Sequence, residues 1–294
     1  MPDAEIDVIR RLLEANPRPA GLSERRKRLD ALGGQYPLPS DVRVEAADAN
    51  GVAAEWTSTE KADPGKVILF LHGGGYVSGS LQSHRHMVAQ AGREARARTF
   101  ALEYRLAPEH PFPAAVEDAA AGYRFLLSRG FSAEHIAVGG DSAGGGLTVA
   151  LLVSLRDAGL PLPACAWCVS PWVDLEGAGA SMTAKAAIDP MVQQAYLTEL
   201  ATAYLGGADP RTSLAAPLYA DLRGLPPMLI QVGSAETLLD DAVRLAGAAG
   251  ATDVRVRLEI WPDMIHVWHL FHQQVAAGRR ALAEAGAFIR SNWE

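Results

Sequence analysis

Two glycine-flanked stretches carry the residues best suited to chemistry. One is Gly140-Asp141-Ser142-Ala143-Gly144, a G-x-S-x-G between the apolar run Ile136–Val138 and a helical pattern beginning near Gly145. A serine in a sharp strand-to-helix turn takes a strained backbone conformation that holds its hydroxyl out into a crevice, and the flanking glycines keep the turn free of collisions. The helix that follows adds the positive end of its dipole, which favours developing negative charge. A phosphate loop would end in lysine, and this stretch has none. The other stretch, His72-Gly73-Gly74-Gly75, directly follows the apolar run Val67–Leu71. Backbone without side chains lets an oxyanion approach peptide N–H donors to about 3 Å, where each contributes roughly 2.7–4 kcal/mol in the transition state. Gly74 and Gly75 are expected to supply two such donors and Ala143 the third. His72 is read as holding the loop's shape.

A serine nucleophile needs a base, and the chain has eight histidines. A G-x-S-x-G turn of this kind goes with the order serine, acid, histidine, which sets aside His72, His84, His86, His110 and His135. Of the remaining three, His266 follows the last strand-like run, Val254–Ile260, and its Pro262-Asp263 turn, on a loop that returns to the crevice. His269 and His272 read as packed or surface residues at helical spacing. The acid is expected after the run Met228–Val232, where Glu236, Asp240 and Asp241 compete. Glu236 lies on the loop just past the strand; Asp240 and Asp241 belong to the next helix, where a carboxylate near the first turn is stabilised for structural reasons. Glu236 is therefore preferred. Its carboxylate would fix the imidazole tautomer and stabilise the imidazolium.

These residues must be held by a scaffold, and the chain alternates short apolar runs with longer helical patterns. The runs Val67–Leu71, Thr99–Tyr104, Ile136–Val138, Cys165–Val169, Met228–Val232 and Val254–Ile260 read as strands. Ala114–Leu127, Leu147–Leu155, Leu238–Ala249 and Phe271–Ile289 read as helices. This is the rhythm of an α/β fold with a mostly parallel sheet covered on both faces. Two earlier runs, Val42–Ala47 and Ala53–Thr57, flank a turn-like "ADANG" and predict an antiparallel edge. Residues 1–40 and a segment over about 181–210 do not fit the rhythm. Both are read as helical cover over the crevice at the carboxyl edge of the sheet, parts of a cap on a catalytic domain spanning 41–294.

Composition narrows the class. With 294 residues, 49% hydrophobic and 21% charged, the chain has the make-up of a globular protein. A net charge of −7 argues against nucleic acid as partner. The basic run Arg25-Arg26-Lys27-Arg28 reads as a solvated helix face. No stretch approaches the ~20 apolar residues of a membrane span, and the acidic start carries no apolar signal core, so a cytoplasmic location without membrane insertion is expected. Cys165 and Cys168 fall three apart on one strand, facing opposite ways, and read as inert core thiols. No H-E-x-x-H and no ligand-spaced cluster of His, Cys and Asp occurs, so neither a cofactor nor a metal is expected.

With these residues in place, the chain resembles the bacterial hormone-sensitive lipase-like esterases, family IV of the lipolytic enzymes. The likeness runs through "HGGGYVSGS", "YRLAPEHPFPAA", "GDSAGGG", "SPWVDL", "DPMV", "GLPPMLIQVGSAETLLDD" and "MIHVWHLF", nearly the whole chain. It implies an α/β-hydrolase fold with a helical cap, and hydrolysis of short- to medium-chain carboxylic esters without a cofactor. It also implies Ser142, Glu236 and His266 as a triad, with Gly74, Gly75 and Ala143 as oxyanion hole. Many members carry aspartate in a D-P-L context where this chain has Glu236-Thr237-Leu238. The ending looks like that of acetyl esterases and monoterpene lactone hydrolases, which makes a cyclic ester an alternative substrate. Amide or carbamate hydrolysis on the same triad and a non-catalytic ligand receptor are further alternatives, and pairing of two copies through the last strands or helices is conceivable.

Overall fold

In the run Val67–Leu71 every side chain is buried, because a strand in the middle of a parallel sheet is covered on both faces. The computed structural model describes residues 4–293. Strands β1 (Arg43–Asp48), β2 (Ala53–Ser58), β3 (Asp63–Leu71), β4 (Ala97–Leu102), β5 (Ile136–Asp141), β6 (Cys165–Val169), β7 (Met228–Gly233) and β8 (Val256–Trp261) make one sheet. Its spatial order is β1-β2-β4-β3-β5-β6-β7-β8. The pairs β1–β2 and β2–β4 are antiparallel, forming the expected edge, and all others are parallel.

Alternate residues of β3 enter different cores. Val67, Leu69 and Leu71 pack with α4 (Ala114–Ser128) and α5 (Ala143–Asp157), while Ile68 and Phe70 pack with α3 (Leu81–Ala95) and α9 (Ala276–Ser291). A third cluster joins α5 to α8 (Leu239–Gly250) under β6 and β7. Cys165 and Cys168 fall in clusters on opposite faces. Both are free and buried, and burial pushes each thiol up to about 12, the inert state expected of them.

The strand order places the site. The chain leaves β3 outward to β4 and returns across it to β5, so the ends of β3 and β5 lie side by side, with Leu71 paired to Gly140. A crevice opens where the winding direction reverses. Both glycine-rich stretches leave the sheet at that point.

Two local expectations need correction, and one helix was not anticipated. Helix α3 carries an apolar stripe of Met87, Val88, Ala91 and Ala95, short and interleaved with His84, Arg85, His86, Gln90 and Arg93; it is started by a capping box between Ser80 and Ser83. The final helix begins at Ala276 rather than Phe271, since Val267 takes a left-handed conformation and Trp268–Phe271 tighten into a 3₁₀ turn that buries its aromatic rings. The basic run lies on α2 (Leu22–Gly34), and of its four residues only Lys27 is exposed as a solvated face would be. Arg25 pairs with Glu199, and Arg26 donates to the carbonyls of Val77 and Ala107 as well as to Glu109.

Candidate active site

Ser142 sits between β5 and α5 with φ 54° and ψ −120°, a conformation that L-residues rarely adopt. Its neighbours hold it there. The Ser142 N–H donates to the Val169 carbonyl at 2.8 Å, and the Ser142 carbonyl accepts from Trp172 at 2.9 Å and Gly146 at 3.1 Å. Glycine is required on the far side of the turn: a Cβ on Gly144 would lie 1.9 Å from the Leu71 carbonyl oxygen and 2.6 Å from that of His72. The turn is thus packed directly against the root of the glycine loop.

Ser142, His266 and Glu236 come from three separate loops and meet. Ser142 Oγ lies 2.9 Å from His266 Nε2, and His266 Nδ1 lies 2.7 Å from Glu236 Oε2. Glu236 is fully buried; its other oxygen, Oε1, accepts from the Gly233 N–H at 2.6 Å and the Ser170 hydroxyl at 2.8 Å. Burial alone would lower the His266 pKa. The hydrogen bond and charge of Glu236, joined by Asp189 and Asp141, outweigh it and hold the imidazole above its ordinary value of 6.5. With its Nδ1–H donated to the Glu236 carboxylate, the neutral imidazole has Nε2 free to accept from the serine hydroxyl. This is the arrangement that activates a weak oxygen nucleophile.

The glycine loop faces the same cavity, which Gly74, Gly75, Ser142 and His266 all line. Gly74 and Gly75 have φ of 120° and 65°, backbone that a side chain would strain. Among the described residues no protein acceptor takes the N–H of Gly74 or Gly75, and Ala143, in the first turn of α5, has no intrahelical acceptor. His72 is not among the residues that line the cavity. Its ring stacks on Tyr104 at 4.3 Å, Nδ1 lies 2.8 Å from the Gly73 carbonyl, and Tyr104 donates to the His72 carbonyl. Burial lowers its pKa to about 4.

The competing candidates are employed elsewhere. Asp240 accepts from the Ser181 N–H, and Asp241 from the N–H groups of Val173 and Asp174. Burial raises the Asp241 carboxyl to about 7. His269 faces Gln231, and burial drops it to about 3; His272 stacks near His86 and is lowered to about 4 by burial. Two supporting residues escaped the sequence reading. Ser170, just past β6, donates to Glu236 and accepts from the N–H of Val267, so it ties the acid loop to the histidine loop. Asp141 accepts from the Gly73 N–H through one oxygen and faces His84 Nε2 with the other. A polar residue within a glycine motif or directly after a buried strand is the only sequence signal either gives.

The cavity is about 650 Å³. Beside the floor just described it is lined by α2 and α1 (Ala4–Ala15), and by residues of the connection from β6 to β7, which contains α6 (Ser181–Ala184) and α7 (Gln194–Leu205). Leu12, Leu29, Leu32, Met191 and Leu197 make this upper wall largely apolar. A Cβ on Gly75 would lie 2.3 Å from Leu200 of α7, so the connection rests on the glycine loop itself.

Comparison with known proteins follows the same outline. The model of a family described as alpha/beta hydrolase fold matches residues 68–270. The chain is 47% identical over 297 residues to a protein named acetyl-hydrolase from Streptomyces hygroscopicus, covering 99% of this chain and 98% of that one. It is 32% identical to an esterase from Acinetobacter venetianus, over 90% of this chain and 87% of the other. Among solved structures, an esterase from the bacterial hormone-sensitive lipase family superimposes with a TM-score of 0.96 at 46% identity, covering 99% and 98% of the two chains. A hormone-sensitive lipase from a metagenome library gives 0.95 at 39% identity over the full length of both.

Proposed function

Because the chain belongs to the α/β-hydrolase fold family, among the bacterial hormone-sensitive lipase-like esterases, and is a carboxylic ester hydrolase, we propose that it works through a serine acyl-enzyme. In this reading His266 Nε2 takes the proton as Ser142 Oγ attacks the ester carbonyl. The charge on the carbonyl oxygen is received by the N–H groups of Gly74, Gly75 and Ala143, and Glu236 stabilises the imidazolium. Collapse of the tetrahedral intermediate breaks the bond to the alkoxy oxygen, which takes the proton from His266 and leaves as alcohol. Water, deprotonated by the same imidazole, then frees the acid and restores Ser142.

The observation that carries the reading is the unbroken hydrogen-bonded line from Ser142 through His266 to Glu236. The apolar wall and the cavity of about 650 Å³ support short- to medium-chain acyl esters as substrates. Helices α1 and α2 with the α6–α7 connection are proposed to act as the cap. The same groups would attack a lactone or another activated acyl compound, and the acetyl-hydrolase name of the Streptomyces relative favours small acyl groups among these. The test is Ser142→Ala, expected to lower turnover of p-nitrophenyl butyrate by roughly 10⁴-fold or more. Retained hydrolysis would overturn the proposal, and rates across acyl chains from acetate to laurate, with a few lactones, assign the substrate class.

A further inference from the structure

Thr237, the residue after Glu236, is fully buried, and each of its polar groups is taken by the connection between β6 and β7. Its N–H donates to Asp189 Oδ2 at 2.8 Å. Its hydroxyl is shared between the same oxygen at 3.1 Å and the Val192 carbonyl at 3.3 Å, and its carbonyl accepts from the Ser181 hydroxyl at 2.5 Å. The other oxygen of Asp189 accepts from the N–H groups of Met191 and Val192, both at 2.8 Å. Pro190, Met191 and Val192 line the cavity. One buried carboxylate therefore receives the wall of the cavity on one oxygen and the acid loop on the other.

We propose that Asp189 is a positioning residue for ester hydrolysis: it fastens the cavity wall at Pro190, Met191 and Val192 to the peptide that follows Glu236, so that the wall and the carboxylate orienting His266 hold one register. The proposal rests on Glu236 being the acid of the reaction. Only an acceptor-only group with two oxygens satisfies donors on both sides. Asparagine has the same shape but would turn an NH₂ toward N–H donors on one side, leaving that side unpaired. The register matters because a displacement of about 1 Å at a reacting group costs on the order of 10²-fold in rate.

Position and charge can be separated. The charged or titratable groups facing His266 are Glu236 from the loop after β7, Asp141 at the end of β5 and Asp189 from the connection; His84 of α3 lines the same cavity. Removing the Asp189 charge lets the imidazole lose its proton at lower pH. Asp189→Asn is therefore expected to lower kcat/KM for p-nitrophenyl butyrate by about 10²-fold and to move the acid limb of its pH profile to lower pH. Thr237→Val leaves the charge and the Thr237 N–H in place. It is expected to leave the limb where it is and to raise KM for the butyrate more than for the acetate. A folded Asp189→Asn with wild-type kcat/KM and an unmoved limb, whatever its melting temperature, overturns the inference. If Asp189→Asn does not fold, Thr237→Val decides: an unchanged KM for both esters overturns it, and the selective rise supports it. Loss of the serine-esterase reading is seen separately, as turnover that survives Ser142→Ala.

Discussion

The floor and the cover of the cavity are built on opposite principles. In the floor, conformation is set by backbone packed on backbone: Gly144 against the carbonyls of Leu71 and His72, and Gly140 against Gly144, where an added Cβ would sit 2.3 Å from the Gly144 carbonyl oxygen. In the cover, long side chains reach to distant backbone carbonyls. Arg26 bonds to Val77 and Ala107, Arg18 to Met191, and Arg28 to Asn16 and Pro17. A floor of the first kind has one conformation, which suits groups that must meet charge at fixed distance. A cover of the second kind yields to small displacements. Substitutions in the floor should accordingly strike turnover, and those in the cover should strike binding.

After Ser142→Ala, the next largest effect is expected at Glu236, the proposed acid. Glu236→Gln keeps the shape but removes the charge facing His266 Nδ1, and should lower kcat by roughly 10⁴-fold. Asp240→Asn, whose carboxylate serves Ser181, should leave most of the rate. The surviving activity of Glu236→Gln carries a second signature. In the proposed mechanism the neutral imidazole is the working base, so kcat/KM is expected to rise with pH through the His266 pKa. With the Glu236 charge gone, burial prevails, that pKa falls, and the acid limb moves to lower pH. Stability takes the opposite sign: a pKa raised in the folded state contributes stability below the unfolded value of about 6.5 and loses it as pH climbs through the folded one. A larger loss in Asp240→Asn than in Glu236→Gln would reverse the assignment.

Gly144→Ala tests the floor without touching a functional group. The new methyl meets the backbone of Leu71 and His72, which cannot swing aside, so the glycine loop is displaced from Ser142. The expected fall in kcat is about 10³-fold, the loss of one oxyanion donor or more, in protein that circular dichroism shows to be folded. Gly247→Ala in α8 is the matched control, because nothing lies within 4 Å of its Cβ. It should be neutral or stabilising by about 0.5–1 kcal/mol. Full activity in Gly144→Ala would mean that the floor tolerates movement and that the contrast with the cover fails.

This contrast also accounts for what could be read in the sequence. Ser142, the glycine loop and β6, found with the bounds Cys165–Val169, were legible because their causes are local: a turn that admits only glycine, or a run buried on both faces. Glu236 and His266 followed from their places after strands. Asp189 was visible only as part of "DPMV", since its partner Thr237 lies 48 residues away and nothing in either segment points to the other. The arginines of α2 misled for the same reason. A run of like charges ordinarily means solvent, and the carbonyls that receive Arg26 lie 51 and 81 residues further along the chain. Helix α3 was hidden because its inward face carries His84 and His86, whose Nε2 atoms meet Asp141 and the Leu270 carbonyl.

The smallest of these effects is expected in the cover, at Arg26. Its guanidinium is partly exposed, and Glu109 more so, which leaves that ion pair worth about 0–1 kcal/mol. The bonds to Val77 and Ala107 matter more. Charged donors to carbonyls contribute roughly 1.5–3 kcal/mol, equal to a few degrees of melting temperature in a chain of this size. Arg26→Ala should lower the melting temperature by that amount and raise KM for p-nitrophenyl butyrate several-fold, while kcat stays within about threefold of wild type, since neither carbonyl belongs to the floor. Glu109→Gln should change little in either. The decisive quantity is the split between the two constants. If kcat and kcat/KM fall together in Arg26→Ala at a temperature where it is folded, α2 is setting the position of the glycine loop through Val77, two residues past Gly75, and floor and cover form one rigid unit.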